Sequence, residues 1–186
     1  MRRPLVLAAV LLLNLAPGSA RGPLDHEPTM AAARIYYGPS DDFDRIDPGL
    51  ISRARQNIDM AAYVLTQRPV IDALEAAVRR GVRLRLYLDA DQRDPQDGEP
   101  RERLAALLRM PGVEARFKAP SRDIMHFKAY QVDGRWLRTG SANFSYSGSR
   151  RQDNDIIVLE SPEAAGTFIR KFQQIWTRRD NDAFHR

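Results

Sequence analysis

The stretch that most constrains the fold runs from Ile58 to Asp89. It opens with "IDMAAYVL", Ile58 to Leu65, a nearly continuous apolar run of the length of a buried strand. Val70, Ile71, Leu74, Ala77 and Val78 then recur at i, i+3, i+4 spacing, which places them on one face of a helix, and Gly81 stops it. From Val82 the chain alternates, with Val82, Leu84, Leu86 and Leu88 set against Arg83, Arg85 and Tyr87. That is the pattern of a strand with one covered face. Strand, helix and strand in this order and length suit a parallel crossover, so a sheet with a helix laid across it is expected.

The flanks extend the same mixture. "RIYYG", from Arg34, reads as a first strand. Asp47 is a plausible N-cap, with Pro48 at the first helical position of a helix whose apolar face holds Leu50, Ile51 and Ala54. "DADQRDPQDGEP", from Asp89, is a polar loop; Glu99 to Met110 follows as a short helix with Leu104, Leu107 and Leu108 inward, and then "VEARF" as a strand. Phe127 to Val132 and Arg135 to Thr139 are strands joined by Asp133-Gly134, a strong signal for a two-residue hairpin. "DIIVLE" is the last expected strand. Pro162 opens a final helix with Ala165, Phe168, Ile169, Phe172 and Trp176 on its inner face. Mixed elements of this kind imply an α/β sheet covered by helices.

A chain of 186 residues with 43% hydrophobic and 28% charged residues suits one domain with a real core. It has no Cys, which excludes disulfides, Cys-ligated zinc and thiol nucleophiles. The N-terminus, "MRRPLVLAAVLLLNLAPGSARG", has two arginines, an apolar run from Leu5 to Ala16, and small residues Gly18 and Ala20 at a possible cut. This is a signal-peptide layout, with residues 1–20 removed near Ala20, a lead-in over 21–33 and a catalytic domain over 34–186. The apolar run is short for a membrane span, so an uncleaved anchor is the weaker alternative. Export to a periplasm or medium is expected, with no stable membrane association after cleavage. The net charge is +5, and loss of Arg2 and Arg3 lowers it by two. Lys118, Lys128 and Lys171 are the only lysines, the remaining basic side chains being arginines suited to phosphate. The charge mildly favours a polyanionic partner.

The chemistry concentrates in "HFKAYQVDGRWLRTGSANFS", His126 to Ser145. His126, Lys128, Ser141, Asn143 and, further on, Asp153 fall at strand ends or in turns, where sites concentrate. An imidazole can act as nucleophile, general base or general acid near neutral pH. Lys and Asn side chains can hold phosphate oxygens, and a carboxylate can orient the imidazole. These are the parts for phosphoryl transfer without a cofactor. No His/Asp cluster stands at ligand spacing, so no metal is expected.

His126, Lys128 and Asp133 form H-x-K-x-x-x-x-D, and Gly140, Ser141 and Asn143 follow as G-S-x-N. On these motifs the chain resembles the phospholipase D superfamily, defined by its HKD motif, and within it the single-motif, Nuc-type bacterial endonucleases. The resemblance extends upstream through "AAYVLTQRPVIDALEAAVRRGVRLRLYLDAD" and downstream through "SRRQDNDIIVLE". It implies an α/β fold with a mixed, mostly parallel β-sheet flanked by helices on both faces, and one HKD motif per chain. It implies that His126 attacks phosphorus to give a phosphohistidine, that Lys128, Asn143 and Ser141 hold the phosphate oxygens, and that Asp153 orients His126. Family members often carry Glu where Asp153 stands, which makes neighbouring Asp155 a rival. Asp133 reads mainly as a turn residue, and Gly140 as a backbone requirement.

The mechanism needs a second imidazole as general acid and base. His26, in "DHEP", and His185, in "AFHR", do not repeat the motif. The second His126 of a homodimer would supply it, with the active site at the two-fold interface. The expected substrate is nucleic acid, DNA and in second place RNA, with Arg122, Arg150 and Arg151 available to follow its backbone. One rival is a phospholipase acting on cardiolipin or a similar lipid. That enzyme would want an exposed apolar rim, and none is visible in the sequence after the N-terminal run. The other is a catalytically silent nucleic-acid-binding module.

Overall fold

Residues 32–93 and 99–184 are described by the computed structural model. The expected signal peptide and nearly all of the lead-in lie outside the described residues. The elements run β1 (Ala32–Tyr37), α1 (Phe43–Ile51), β2 (Asn57–Ala62), α2 (Arg68–Arg79), β3 (Arg83–Leu88), a 3-10 turn (Ala90–Gln92), α3 (Glu99–Leu108) and β4 (Val113–Phe117). They continue with β5 (Lys128–Val132), β6 (Trp136–Gly140), α4 (Tyr146–Arg150), β7 (Asp155–Glu160), α5 (Pro162–Trp176) and β8 (Asp182–Ala183). The strands form one sheet in the order β1-β7-β6-β5-β2-β3-β4-β8.

The sheet is mixed, and β2–α2–β3 is the expected parallel crossover. A second parallel pair joins β3 to β4. The other neighbours are antiparallel, so parallel pairing is confined to β2, β3 and β4 and its share is smaller than expected. The reason is local. Asp133 and Gly134, at φ 53° and 65°, make the two-residue turn that returns β6 alongside β5, and so tight a connection can only join antiparallel strands.

Helices cover both faces. On one side, Leu50 and Ile51 of α1, Val70, Ile71 and Leu74 of α2, and Leu104 and Leu107 of α3 pack with Ile58, Met60, Leu84 and Leu86 of the sheet. On the other side α5 sets Phe168, Phe172 and Trp176 against Ala61, Tyr87 and Ala129. Tyr87 is therefore buried, and β3 is covered on both faces rather than one. Arg85 survives on that same inner face because Asp59 takes its guanidinium in a paired contact, 2.6 and 2.9 Å, while Phe172 and Trp176 flank it.

Two further expectations are corrected. The first helix begins at Phe43 with Asp42 at its N-cap, so Pro48 sits inside it and Asp47 is not a cap. Asp47 is instead buried and ion-paired with Arg138, 91 residues away. A cap is a local arrangement visible in sequence, whereas a partner from a distant strand is not. The strand Asp155–Glu160 is not the last, since Asp182–Ala183 pairs with β4 at the far edge.

Candidate active site

Pairing directions bring one end of the sheet together. β2 and β6 end there, while their antiparallel neighbours β5 and β7 begin there. His126, Lys128, the Gly140–Asn143 turn and the segment Asp153–Asp155 therefore share one edge of the sheet. Asp133, the third residue of the motif, lies at the opposite end of β5, roughly 17 Å from Lys128 at ordinary strand rise.

His126 is exposed, and Lys128 behind it is 8% exposed. Alternate residues of an extended chain face one side, which explains their two-residue spacing. Tyr63, just past β2, is the wall between them. Its ring lies 4.7 Å from the His126 ring, centroid to centroid, and the Lys128 Nζ stands 4.9 Å over its face. The same Nζ donates to the His126 carbonyl at 3.0 Å. Burial, and secondarily the nearby Arg138 charge, lower the Lys128 pKa from the ordinary lysine value of 10.5. Asp89, at the end of β3, accepts the Met125 N–H at 2.6 Å and so holds the backbone just before His126.

The Gly-Ser-x-Asn turn is braced against β7. A Cβ on Gly140 would lie 2.4 Å from the Asp155 carbonyl oxygen, and its φ is +139°, so only glycine fits. The Ser141 hydroxyl accepts the Asp155 N–H at 2.9 Å and donates to Asn154 Oδ1 at 3.0 Å. Ser141 thus serves the turn itself, and a phosphate would have to compete for its hydroxyl. Asn143 differs, because its Oδ1 is buried with no hydrogen-bond partner among the described residues.

The three carboxylates have separate surroundings. Asp153 is exposed and no hydrogen bond ties it to His126 within the chain, while Asp155 accepts the Ser141 N–H at 3.2 Å. Asp133 accepts the backbone N–H groups of Arg55, Gln56 and Asn57 at 2.8, 2.8 and 2.9 Å, a structural task. Arg150 is committed to Asp42, the N-cap of α1, and to Asp44 in its first turn, and Arg151 stands over Tyr146. Sequence reasoning missed Asp89, Arg138 and Asn154. Arg138 stands between Leu137 and Thr139 in a strand that also follows Arg135, so nothing in the local pattern set it apart.

A groove of about 300 Å³ between β1, β6, β7 and α1 is lined by Arg34, Arg53, Trp136 and Glu160, among others, and by no motif residue. The motif edge is open, and exposed Ile124 and Phe127 flank His126 in sequence. These two apolar side chains are what the described residues offer of the apolar rim that a lipid-directed site would want.

Fold and site define a class: an α/β domain that carries one His-x-Lys pair and one Gly-Ser-x-Asn turn at a single sheet edge. The profile of the family described as "Cardiolipin synthase, PLD-like domain" matches residues 49–176, and the chain belongs to this phospholipase D-like family. It is 26% identical over 155 residues to a mitochondrial cardiolipin hydrolase of Danio rerio, covering 83% of this chain and 66% of that protein. It is 29% identical over 122 residues to a phospholipase D of Rickettsia felis, covering 66% and 58%. The chain spans about half to two thirds of the length of such curated relatives. Among solved structures, Nuc from Salmonella typhimurium matches with a TM-score of 0.70 at 23% identity, over 84% of this chain and 99% of that one. NucT from Helicobacter pylori matches with a TM-score of 0.73 at 17% identity, over 83% and 99%. These two likenesses are of fold.

Proposed function

We propose that this protein is a phosphodiesterase that cleaves nucleic acid, DNA first, through a covalent phosphohistidine on His126. The observation that carries the reading is the pairing of an exposed His126 with a nearly buried Lys128 behind it, at the edge that also carries the Gly140–Asn143 turn, from which Asn143 would donate through Nδ2. In the reaction, an imidazole nitrogen of His126 forms the bond to phosphorus as the bond to the leaving oxygen breaks. The imidazolium of a second His126 gives that oxygen its proton. The same second imidazole then takes a proton from water, whose oxygen displaces the histidine from phosphorus. Lys128 and Asn143 stabilise the charge that develops on the phosphoryl oxygens. Asp153, exposed at the same edge, is the carboxylate proposed to orient an imidazole once two copies meet.

The second imidazole comes from a second copy. Ile35 and Tyr37 of β1, 52% and 61% exposed, alternate with Tyr36, which packs into the core on the α1 side. They therefore lie on the α5 face, where α5 packs over β5, β6 and β2 and leaves β1 uncovered. An apolar strip on that face, running toward the motif edge, supports a two-fold contact that brings both motifs together. The N-terminal sequence supports export to the periplasm or medium.

A second reading keeps the chemistry and changes the substrate to a phospholipid. Exposed Ile124 and Phe127 beside His126 favour it, as do relatives named cardiolipin hydrolase. The deciding assay offers plasmid DNA, single-stranded RNA and cardiolipin vesicles to the protein and to His126→Ala, in excess EDTA. Cleavage of DNA by the parent alone is expected. Lipid cleavage with intact nucleic acid moves the function to a phospholipase, and equal turnover by both proteins removes His126 as nucleophile.

A further inference from the structure

The β5–β6 ladder ends early. Its last pair is Tyr130 with Arg138, so Lys128 and Gly140 are not paired across the strands. The Phe127 carbonyl accepts from Tyr63 on the β2 side, so its neighbour Lys128 turns its own carbonyl toward β6, where the ladder has stopped. Arg138 fills that gap. Its Nη1 donates to the Lys128 carbonyl at 2.8 Å and to the Ala142 carbonyl at 3.2 Å. Ala142 directly precedes Asn143. Nε and Nη2 of the same guanidinium grip the Asp47 carboxylate at 2.9 and 3.0 Å, and Tyr130 Oη donates to Asp47 Oδ1 at 2.9 Å. The plane of the group lies over Phe144, 4.4 Å from the ring centroid. Arg138 and Asp47 are each 1% exposed.

We propose that Arg138 is a positioning residue: anchored by Asp47, it sets the spacing between the strand that carries His126 and Lys128 and the turn that carries Asn143. A guanidinium is the one side chain with donors in a fixed fork wide enough to hold a carboxylate and two backbone carbonyls at once. Gly140 lets β6 swing against β7, which parts β6 from β5 and opens the site. Arg138 spans the opening without filling the surface where substrate would sit. Apolar side chains can often replace a buried ion pair, but they cannot satisfy the Lys128 and Ala142 carbonyls, so these two contacts are what tie Arg138 to the site. The proposal rests on the reading of His126, Lys128 and Asn143 as the reacting set.

The test compares the parent protein with Asp47→Leu/Arg138→Met, Asp47→Asn, Arg138→Lys and His126→Ala. It uses thermal melting, turnover of bis(4-nitrophenyl) phosphate, and NMR titration of ¹³C-dimethylated lysines, of which there are three in the sequence. The double variant leaves the Lys128 and Ala142 carbonyls and the Tyr130 hydroxyl without these partners and is expected to melt lower than the parent. Assayed below its melting range, it is expected to lose about 100-fold in kcat with KM within about threefold, since misplacement near 1 Å has that effect. Asp47→Asn leaves the carbonyl contacts in place, so it is expected to melt lower while keeping kcat within about fivefold. The Lys128 signal in the double variant is expected to titrate at higher pH. Parental kcat in the double variant overturns the proposal, as does a kcat loss in Asp47→Asn equal to that of the double variant. If the double variant does not fold, Arg138→Lys decides, with about a tenfold kcat loss supporting the clamp and parental kcat overturning it. Parental turnover by His126→Ala would sink the catalytic reading instead. Arg138→Lys, which keeps the positive charge, then decides the clamp without turnover, a changed Lys128 signal supporting it and an unmoved one overturning it, since a shift in the double variant follows from loss of the Arg138 charge alone.

Discussion

A lysine behind a nucleophilic imidazole holds a phosphate only while it is protonated. Burial lowers the Lys128 pKa from 10.5, so kcat/KM is expected to fall on the alkaline side at a pH below that value. Lys128→Arg, which cannot lose its proton, should remove this limb; a limb that stays assigns it to another group. Stability moves the other way. Between the depressed folded value and 10.5 the unfolded chain binds more protons at this residue, so its contribution to stability rises with pH across that window. Falling activity with undiminished stability there separates titration from unfolding. Asp133 belongs to the same motif and behaves differently. It binds three backbone N–H groups at the end of β5 remote from His126. Asp133→Asn keeps the turn but weakens these contacts, and urea titration should find it about 1–3 kcal/mol less stable. A large kcat loss without a stability loss would place Asp133 in the chemistry instead.

Among the elements, the turn after β6 has the least freedom. Gly140 meets the Asp155 carbonyl so closely that Gly140→Ala must push β7 away while holding an unfavourable backbone angle. It should lower stability by about 2–4 kcal/mol and depress activity along with it, measured by melting and by turnover below the melting range. Unchanged melting would mean the turn is looser than its contacts indicate. This constraint was readable, since a glycine opening a polar turn is what a close backbone approach requires. The start of α1 was not. Asp47-Pro48 is a good local signal for a helix start, yet Asp42 takes the N-cap because Asp47 is drawn inward by Arg138. The covered second face of β3 was equally hidden. Alternation of Leu with Arg and Tyr reads as inside and outside until α5, from the far end of the chain, supplies rings to receive Arg85.

At the scale of the whole molecule, the proposed second copy is the prediction that one motif and the exposed Ile35 and Tyr37 put to test. Ile35→Glu should convert a dimer to a monomer in sedimentation and lower turnover by at least about 100-fold, while the melting of the isolated fold changes little because Ile35 is half exposed. A monomeric parent with full activity would defeat the shared site. The sequence by itself determined the residues that periodicity and turn chemistry can express. These are the β2–α2–β3 crossover, the Asp-Gly hairpin, the inner face of α5, and the His-x-Lys and Gly-Ser-x-Asn motifs with the family they resemble. The tertiary structure decided strand order, the small share of parallel pairs, the tie of Ser141 to Asn154 and Asp155, and the burial of Asp47 with Arg138. The division has a physical cause. Local patterns record which way a side chain points within its own helix or strand, whereas a contact between residues 91 apart forms only when the sheet brings them together, and leaves no period in the sequence.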